Sequence, residues 1–426
     1  MKFIDGGVTA PQGFRAAGIY AGVKACTHLT QAEAANFAAD IRSGKRAPES
    51  KNDLALICAD VPCTAAGVFT SNLVKGAPIA VCLKHLQDGK AQAILANSGN
   101  ANTCNADGEE KAEAMASAVA EALNLRDEDV LVGSTGVIGQ PLPLEPILTA
   151  VPALTQKLST HGSLDAATAI MTTDTVPKNM AVEMELAGKT IRIGGISKGS
   201  GMIHPNMCTM LCFLTTDAAV EAKALDKALR FAVADSFNML SVDEDMSTND
   251  TCVILANGKA GNAEIQEGSA DFTAFVEALK ALCVKIARAM AKDGEGASKL
   301  LVCAVSGAAS DADARTVAKA VICSSLVKAA IFGADANWGR VLCAIGYAGA
   351  AVDIHKVDVD FTSPAGTLPV CRNGAGAPFD EDLGKKILLE DEITVQVMLH
   401  DGTAAAAAYG CDLTYNYVKI NGDYRT

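Results

Sequence analysis

Apolar residues recur at two different periods along the 426-residue chain. Alternating or continuous apolar runs predict strands at 53–60 and 66–71, separated by a turn at Val61–Pro62. Further strands are predicted at 92–97, 129–133, 179–186, 189–196, 251–256, 299–306, 341–348, 355–361, 367–371 and 393–399. The pair 179–186 and 189–196, joined through Ala187, Gly188 and Lys189, reads as a hairpin. A 3.6-residue period predicts a helix over 109–123, with Met115, Ala118, Val119 and Ala122 on one face. It also predicts two short helices within 152–171, helices at 219–236 and 270–292, and one long helix at 312–331. Strands mixed with helices in this way are α/β grammar. The length favours two lobes, and the lack of a Pro/Gly/Ser-rich linker implies that they share an interface.

Composition narrows the class. Half the residues are hydrophobic and 20% are charged, as in soluble globular proteins. A net charge of −13, no long basic run and 4% aromatics argue against nucleic acid or an anionic membrane surface as partner. The start MKFIDGGVTAPQGF lacks the apolar core of a signal peptide. No run of about 18 apolar residues is present, and the alanines at 404–408 read as tight packing. The fourteen cysteines are scattered, mostly in apolar runs, with no C-x-x-C pair. They are expected to be reduced and structural, in a cytoplasmic protein.

Conventional catalysts are missing. None of the six histidines has H-x-x-H or H-E-x-x-H spacing. The glycines of GSTGVIG do not have dinucleotide-binding spacing, and KGSGM lacks the Lys-Ser/Thr of a P-loop. The acidic loop SVDEDMSTND (241–250) does not match a calcium loop and reads as a solvated loop ahead of the strand at 251. No metal and no bound cofactor is expected. What remains is KGSGMIHPNMCTMLCFLTTD (198–217): a glycine turn, Pro205, Thr209 and an apolar run. Thr209 is either one more β-branched strand residue or a nucleophile released by cutting the bond before it. An N-terminal threonine carries both parts of a catalyst, since its hydroxyl attacks and its own α-amine accepts the proton.

This stretch resembles the cleavage-site motif of the ornithine acetyltransferases, the glutamate N-acetyltransferases of the cyclic arginine pathway. The resemblance extends to GGVTAPQGFRAAGIYAGVK, NSGNANTCN, VGSTGVIGQPLP, IMTTDTVPK, SVDEDMSTNDT, DGEGASK, GADANWGRVLCAIGYAG and the terminal NYVKINGDYRT, in the family's order and over nearly the whole chain. It implies a layered α/β fold, similar in plan to N-terminal-nucleophile hydrolases. It implies self-cleavage between Cys208 and Thr209, giving chains 1–208 and 209–426 that assemble as α2β2. It implies acetyl transfer from N2-acetyl-L-ornithine to L-glutamate through Thr209, with acetyl-CoA as a further candidate donor.

The family pattern also assigns roles by position. Thr135 and Gly136 match the oxyanion hole. Thr172, Lys198, Thr209, Glu295, Asn421 and Thr426 match substrate contacts. His204, Cys208, Glu244 and Met246 depart from the residues common there; His204 is expected to pack rather than to react. Two alternatives stay open on sequence: a β-aminopeptidase-like relative that passes its acyl group to water, and an uncut amino-acid-binding protein of the same shape.

Overall fold

The computed structural model describes residues 1–47, 51–204 and 210–423. Fifteen strands among these form two sheets. The first holds β1 (Lys2–Ile4), β2 (Phe14–Ile19), β3 (Leu54–Phe69), β4 (Lys90–Asn100), β5 (Val130–Val137), β6 (Lys178–Leu186), β7 (Lys189–Lys198), β8 (Leu211–Thr216) and β9 (Thr251–Ala256). Its order is β1-β6-β7-β8-β9-β3-β4-β5, with β2 also on β3. The second holds β10 (Leu300–Ala308), β11 (Asp358–Ser363), β12 (Gly366–Arg372), β13 (Ala375–Gly376), β14 (Glu392–Met398) and β15 (Ala404–Cys411). Its order is β13-β12-β11-β14-β10-β15.

The long strand β3 positions everything else. The register of its pairing with β4 shifts between Cys58 and Cys63. Its first part pairs with β2 and β4, while its last residues, Thr64 to Phe69, pair with β9. The turn expected at Val61–Pro62 is therefore an irregularity inside one continuous strand. A bulge bends a strand and sharpens its twist, and here β5 comes to lie against β8. Gly133 makes the close approach possible, since a Cβ there would sit 3.1 Å from the Phe213 ring. Ile196, Leu211 and Phe213 accordingly share one core with Val130, Leu131 and Val132. Helices Ala77–His85 and Gly108–Leu123 pack on β5, and helix Ala270–Lys292 packs on β6 and β7. The result is a layered arrangement of sheets and helices.

Helix Ala270–Lys292 begins at Ser269, whose hydroxyl accepts from Phe272 N at 3.0 Å. It buries Phe272, Phe275, Leu279, Leu282, Ile286 and Met290. It also contacts β10 and β15, so a single core spans both sheets. Helix Gly108–Leu123 buries Ala112, Met115, Ala116 and Val119, a face rotated from the expected one, with Ala122 exposed.

Several expectations need correction. Residues 341–348 are not a strand; Trp338–Gly346 is a helix that buries Val341, Ala344 and Ile345 and is capped by Asn337, which accepts from Arg340 N. The long helix at 312–331 is two, Asp311–Cys323 and Ser325–Phe332. Ser324 leaves the helical conformation between them and caps the second by accepting from Val327 N. The first of the two helices in the 152–171 region starts at Leu144 and carries Pro152 inside it. The alanine run is an edge strand, β15. The strand expected from 355 begins at Asp358, after a short 3-10 turn. Strand β2, within the first twenty residues, was not expected. Helices Gln31–Arg42, Glu381–Leu388 and Tyr415–Asp423 were not foreseen.

Candidate active site

Strand ends converge on one cavity. β7 ends at Lys198, which sits opposite Leu211 at the start of β8, and Leu211 in turn sits beside Thr251 at the start of β9. β5 reaches the same place with Thr135 and Gly136, paired with Ser98 and Gly99 of β4. The cavity, about 310 Å³, is bounded by Thr135, Gly136, Thr172, Lys198, Glu295 and Asn421. Six residues assigned from sequence, spread over nearly 290 positions, thus meet in one place. Cys208, Thr209 and Thr426 lie outside the described residues.

Each wall has a local cause. Gly136 has φ 131°, open to glycine alone, and a Cβ there would lie 2.3 Å from the Gly99 carbonyl carbon. Thr135 precedes it, and the Lys198 ammonium approaches its hydroxyl at 3.4 Å. Lys198 is buried. Burial pulls its pKa down, and the Asp174 carboxylate opposes that fall. On the far side Glu295 lies over Gly201, where any Cβ would come within 2.3 Å of its carboxyl group. Glu295 N donates to Ser200 O at 2.8 Å. Asn421, on the last helix, donates to the Glu295 carboxylate at 2.8 Å. Tyr417, one turn earlier, donates its hydroxyl to Asp243 at 3.2 Å.

A buried charge cluster holds these walls in register. Lys178 Nζ lies 2.6 Å from Asp174 and 2.5 Å from Asp293, all three side chains being buried. Asp174 accepts from Gly199 N at 2.7 Å, next to Lys198, and from Thr172 N at 3.2 Å. Burial pushes the Asp174 pKa up, but the Lys198 and Lys178 charges outweigh it and hold the carboxyl below its ordinary value. Asp293 accepts from Thr175 N at 3.1 Å and leads directly into the turn carrying Glu295.

The loop 241–250 is not the solvated loop expected. Ser241, Val242, Thr248, Asn249 and Asp250 are buried. Asp243 accepts from Met202 N and Ile203 N, each at 2.7 Å. Asn249 donates to Ala101 O at 2.6 Å and Ser134 O at 2.9 Å, and accepts from the Thr103 hydroxyl at 2.6 Å. These residues, with Asp174, Lys178 and Asp293, were missed as parts of the site. The only signal available was their place inside the motifs MTTDTVPK, DGEGAS and SVDEDMSTND.

His204 packs, as expected. Its Nδ1 lies 3.0 Å from the Ser241 hydroxyl and 3.7 Å from Cys323 Sγ. Burial, with Lys319 nearby, pulls its pKa down to about 4. Glu244 is exposed with φ 66°. Among the described residues the cysteines form no disulfide, and all are buried except Cys323, Cys104 and Cys343. No described helix is long and apolar enough to cross a membrane.

The sequence profile of the ArgJ family matches residues 33–426. A bifunctional arginine biosynthesis protein ArgJ from Caldanaerobacter subterraneus subsp. tengcongensis is 48% identical over 427 residues, covering the whole of both chains. The protein of the same name from Symbiobacterium thermophilum is 50% identical, again over the whole of both. A crystal structure of the Bacillus halodurans protein of that name is 40% identical over 50% of this chain and 98% of its own, with a TM-score of 0.47.

Proposed function

The chain belongs to the ArgJ family, and we propose on that premise that it is an acetyltransferase carrying acetyl from N2-acetyl-L-ornithine to L-glutamate on Thr209. The observation that carries this reading is a cavity with a buried ammonium, Lys198, on one wall and a carboxylate, Glu295, on another. Opposite charges so placed suit the carboxylate and ammonium ends of an amino acid. Thr135 and Gly136 line the same cavity, which supports reading them as donors for an oxyanion.

In this reading the chain is first cut between Cys208 and Thr209, into 1–208 and 209–426, which pair and then dimerise as α2β2. The Thr209 hydroxyl attacks the acetyl carbonyl of acetylornithine. Its α-amine takes the proton and returns it to the departing ornithine amine. The Thr135 hydroxyl and the Gly136 N–H receive the charge on the acetyl oxygen. Glutamate then attacks the ester with its own amine. Thr172, Asn421 and Thr426 complete the substrate contacts. Acetyl-CoA is a second donor to glutamate, in line with the word bifunctional in the relatives' names. The reaction needs no resident cofactor, and the protein works in the cytoplasm.

Intact mass after denaturation, with an acetyl-transfer assay run on each donor, tests the reading. Wild type should give two fragments and transfer acetyl to glutamate. Thr209→Ala should keep the 43.8 kDa chain and transfer nothing. A wild-type chain that stays whole, or acetate release without transfer, overturns it.

A further inference from the structure

Asp250 is fully buried, and neither of its carboxyl oxygens has a hydrogen-bond partner among the described residues. Its backbone is tied down on both sides. Thr70 N donates to Asp250 O at 3.0 Å, and the next amide, Thr251 N, donates to Met210 O at 2.7 Å. The nearby Ser247 and Thr70 side chains and the Met210 amide ease its charge without reaching bonding geometry. The Thr70 hydroxyl donates instead to Ser247 O at 2.9 Å. Burial pushes the pKa of Asp250 well above the ordinary carboxyl value. The side chain borders a separate small cavity of about 20 Å³, shared with Thr135, Lys198, Met210 and Leu211. That is room for about one water. Buried polar groups are nearly always paired, so an unpaired carboxyl beside a water-sized space points to a function.

The transfer reaction leaves one chemical step without a base. In the uncut chain the nitrogen of residue 209 is a peptide nitrogen, which has no basicity. The α-amine that serves acetyl transfer therefore does not exist when the chain is first cut. Asp250 is a carboxyl group beside the amide of Met210, the residue bonded to Thr209. A carboxyl group in this place can take up a proton and give it back.

We propose that Asp250 is the proton acceptor of the self-cleavage step, a duty distinct from acetyl transfer; this rests on the reading of Thr209 as a self-cleaving nucleophile. The Thr209 hydroxyl proton passes to the Asp250 carboxylate as Oγ bonds to the Cys208 carbonyl carbon. The C–N bond then breaks, and Asp250 returns the proton to the leaving nitrogen, which becomes the α-amine. Water adds to the resulting ester and the C–O bond breaks. This leaves a Cys208 carboxylic acid, a free Thr209 hydroxyl and Asp250 as it began.

The test follows newly made full-length chain by intact mass, for wild type, Asp250→Asn and Asp250→Glu, with far-ultraviolet circular dichroism to confirm folding. Wild type that fails to split refutes the underlying reading. With wild type splitting, Asp250→Asn should split at least about 100-fold more slowly, and Asp250→Glu should recover part of the rate. Hydroxylamine cleaves esters and should not restore splitting in Asp250→Asn, because the ester never forms. Splitting of Asp250→Asn at the wild-type rate, or full rescue by hydroxylamine, overturns the proposal. Wild-type chain from cell-free synthesis gives an arm that needs no variant. Asp250 faces Lys198 from β7, Thr70 after β3, Ser247 from its own loop and Met210 before β8, and of these only Lys198 titrates. The splitting rate should rise with pH as the carboxyl loses its proton, over a range that burial displaces upward from that of an ordinary carboxyl; a flat profile overturns the assignment.

Discussion

Lys178 and Asp293 stand 115 residues apart in the chain and meet at 2.5 Å, with both side chains buried. Asp174 closes the cluster at 2.6 Å from the same ammonium. The pairing ties the turn at Thr172, the end of β7 and the Glu295 loop to one point. Removing Lys178 would leave two buried carboxylates facing each other. Lys178→Met should lower stability by about 3–5 kcal/mol, read as a shifted denaturant midpoint. The double variant Lys178→Met/Asp174→Asn should recover part of it.

Thr135 and Gly136 lie at the end of β5 on the cavity wall, and the proposed reaction uses the hydroxyl of one and the amide of the other as donors to the acetyl oxygen. Thr135→Ala should reduce kcat for acetyl transfer by about 10²–10³ while KM for either amino acid changes little. Gly136→Ala should be worse for a different reason, since its Cβ would strike the backbone of Gly99. Steady-state kinetics with acetylornithine and glutamate check both.

His204 carries a pH dependence of definite sign. Its folded pKa, about 4, lies below the ordinary 6.5. The unfolded chain therefore binds a proton first as pH falls. The stability that neutral His204 contributes is complete above about pH 6.5 and is lost as pH drops through about 4. Urea titrations across this window should show the decline. His204→Asn should flatten it, leaving whatever acid sensitivity the carboxylates supply.

Glu244 holds φ 66° at an exposed position, where side chains other than glycine are strained. Glu244→Gly should stabilise the protein by about 1 kcal/mol, visible as a small rise in Tm. It should also leave the hydrogen bonds of neighbouring Asp243 to Met202 N and Ile203 N in place.

Elements with a clean period were legible in the sequence. The hairpin β6–β7 and the helix Ala270–Lys292 each bury one face, and their patterns say so directly. Residues 341–348 were misread because VLCAIGYA is apolar enough for a buried strand. The deciding signal was Asn337, a cap standing outside the run. Ser324 gave the same signal inside the supposed long helix. Walls of the site were legible only through resemblance, since Thr135 or Glu295 alone looks like an ordinary turn residue. Asp174, Asn249 and Asp250 stayed hidden because a charge or amide in a polar stretch reads as solvated. Nothing in the chain order reveals that the bend of β3 brings β5 onto β8, or that Asp174 and Asp293 meet on Lys178.

β8 and β9 come after position 209, yet they lie between β7 and β3 and pair with both through full ladders. A cut at 208–209 would therefore leave two polypeptides sharing one sheet. Unfolding would then be bimolecular, and the melting temperature of the mature protein should fall on dilution, whereas that of the uncut Thr209→Ala chain would not. Neither piece should refold alone from denaturant, since each would expose the apolar edge that the other covers. Once cut, the protein should be recoverable only while both halves remain in the same solution.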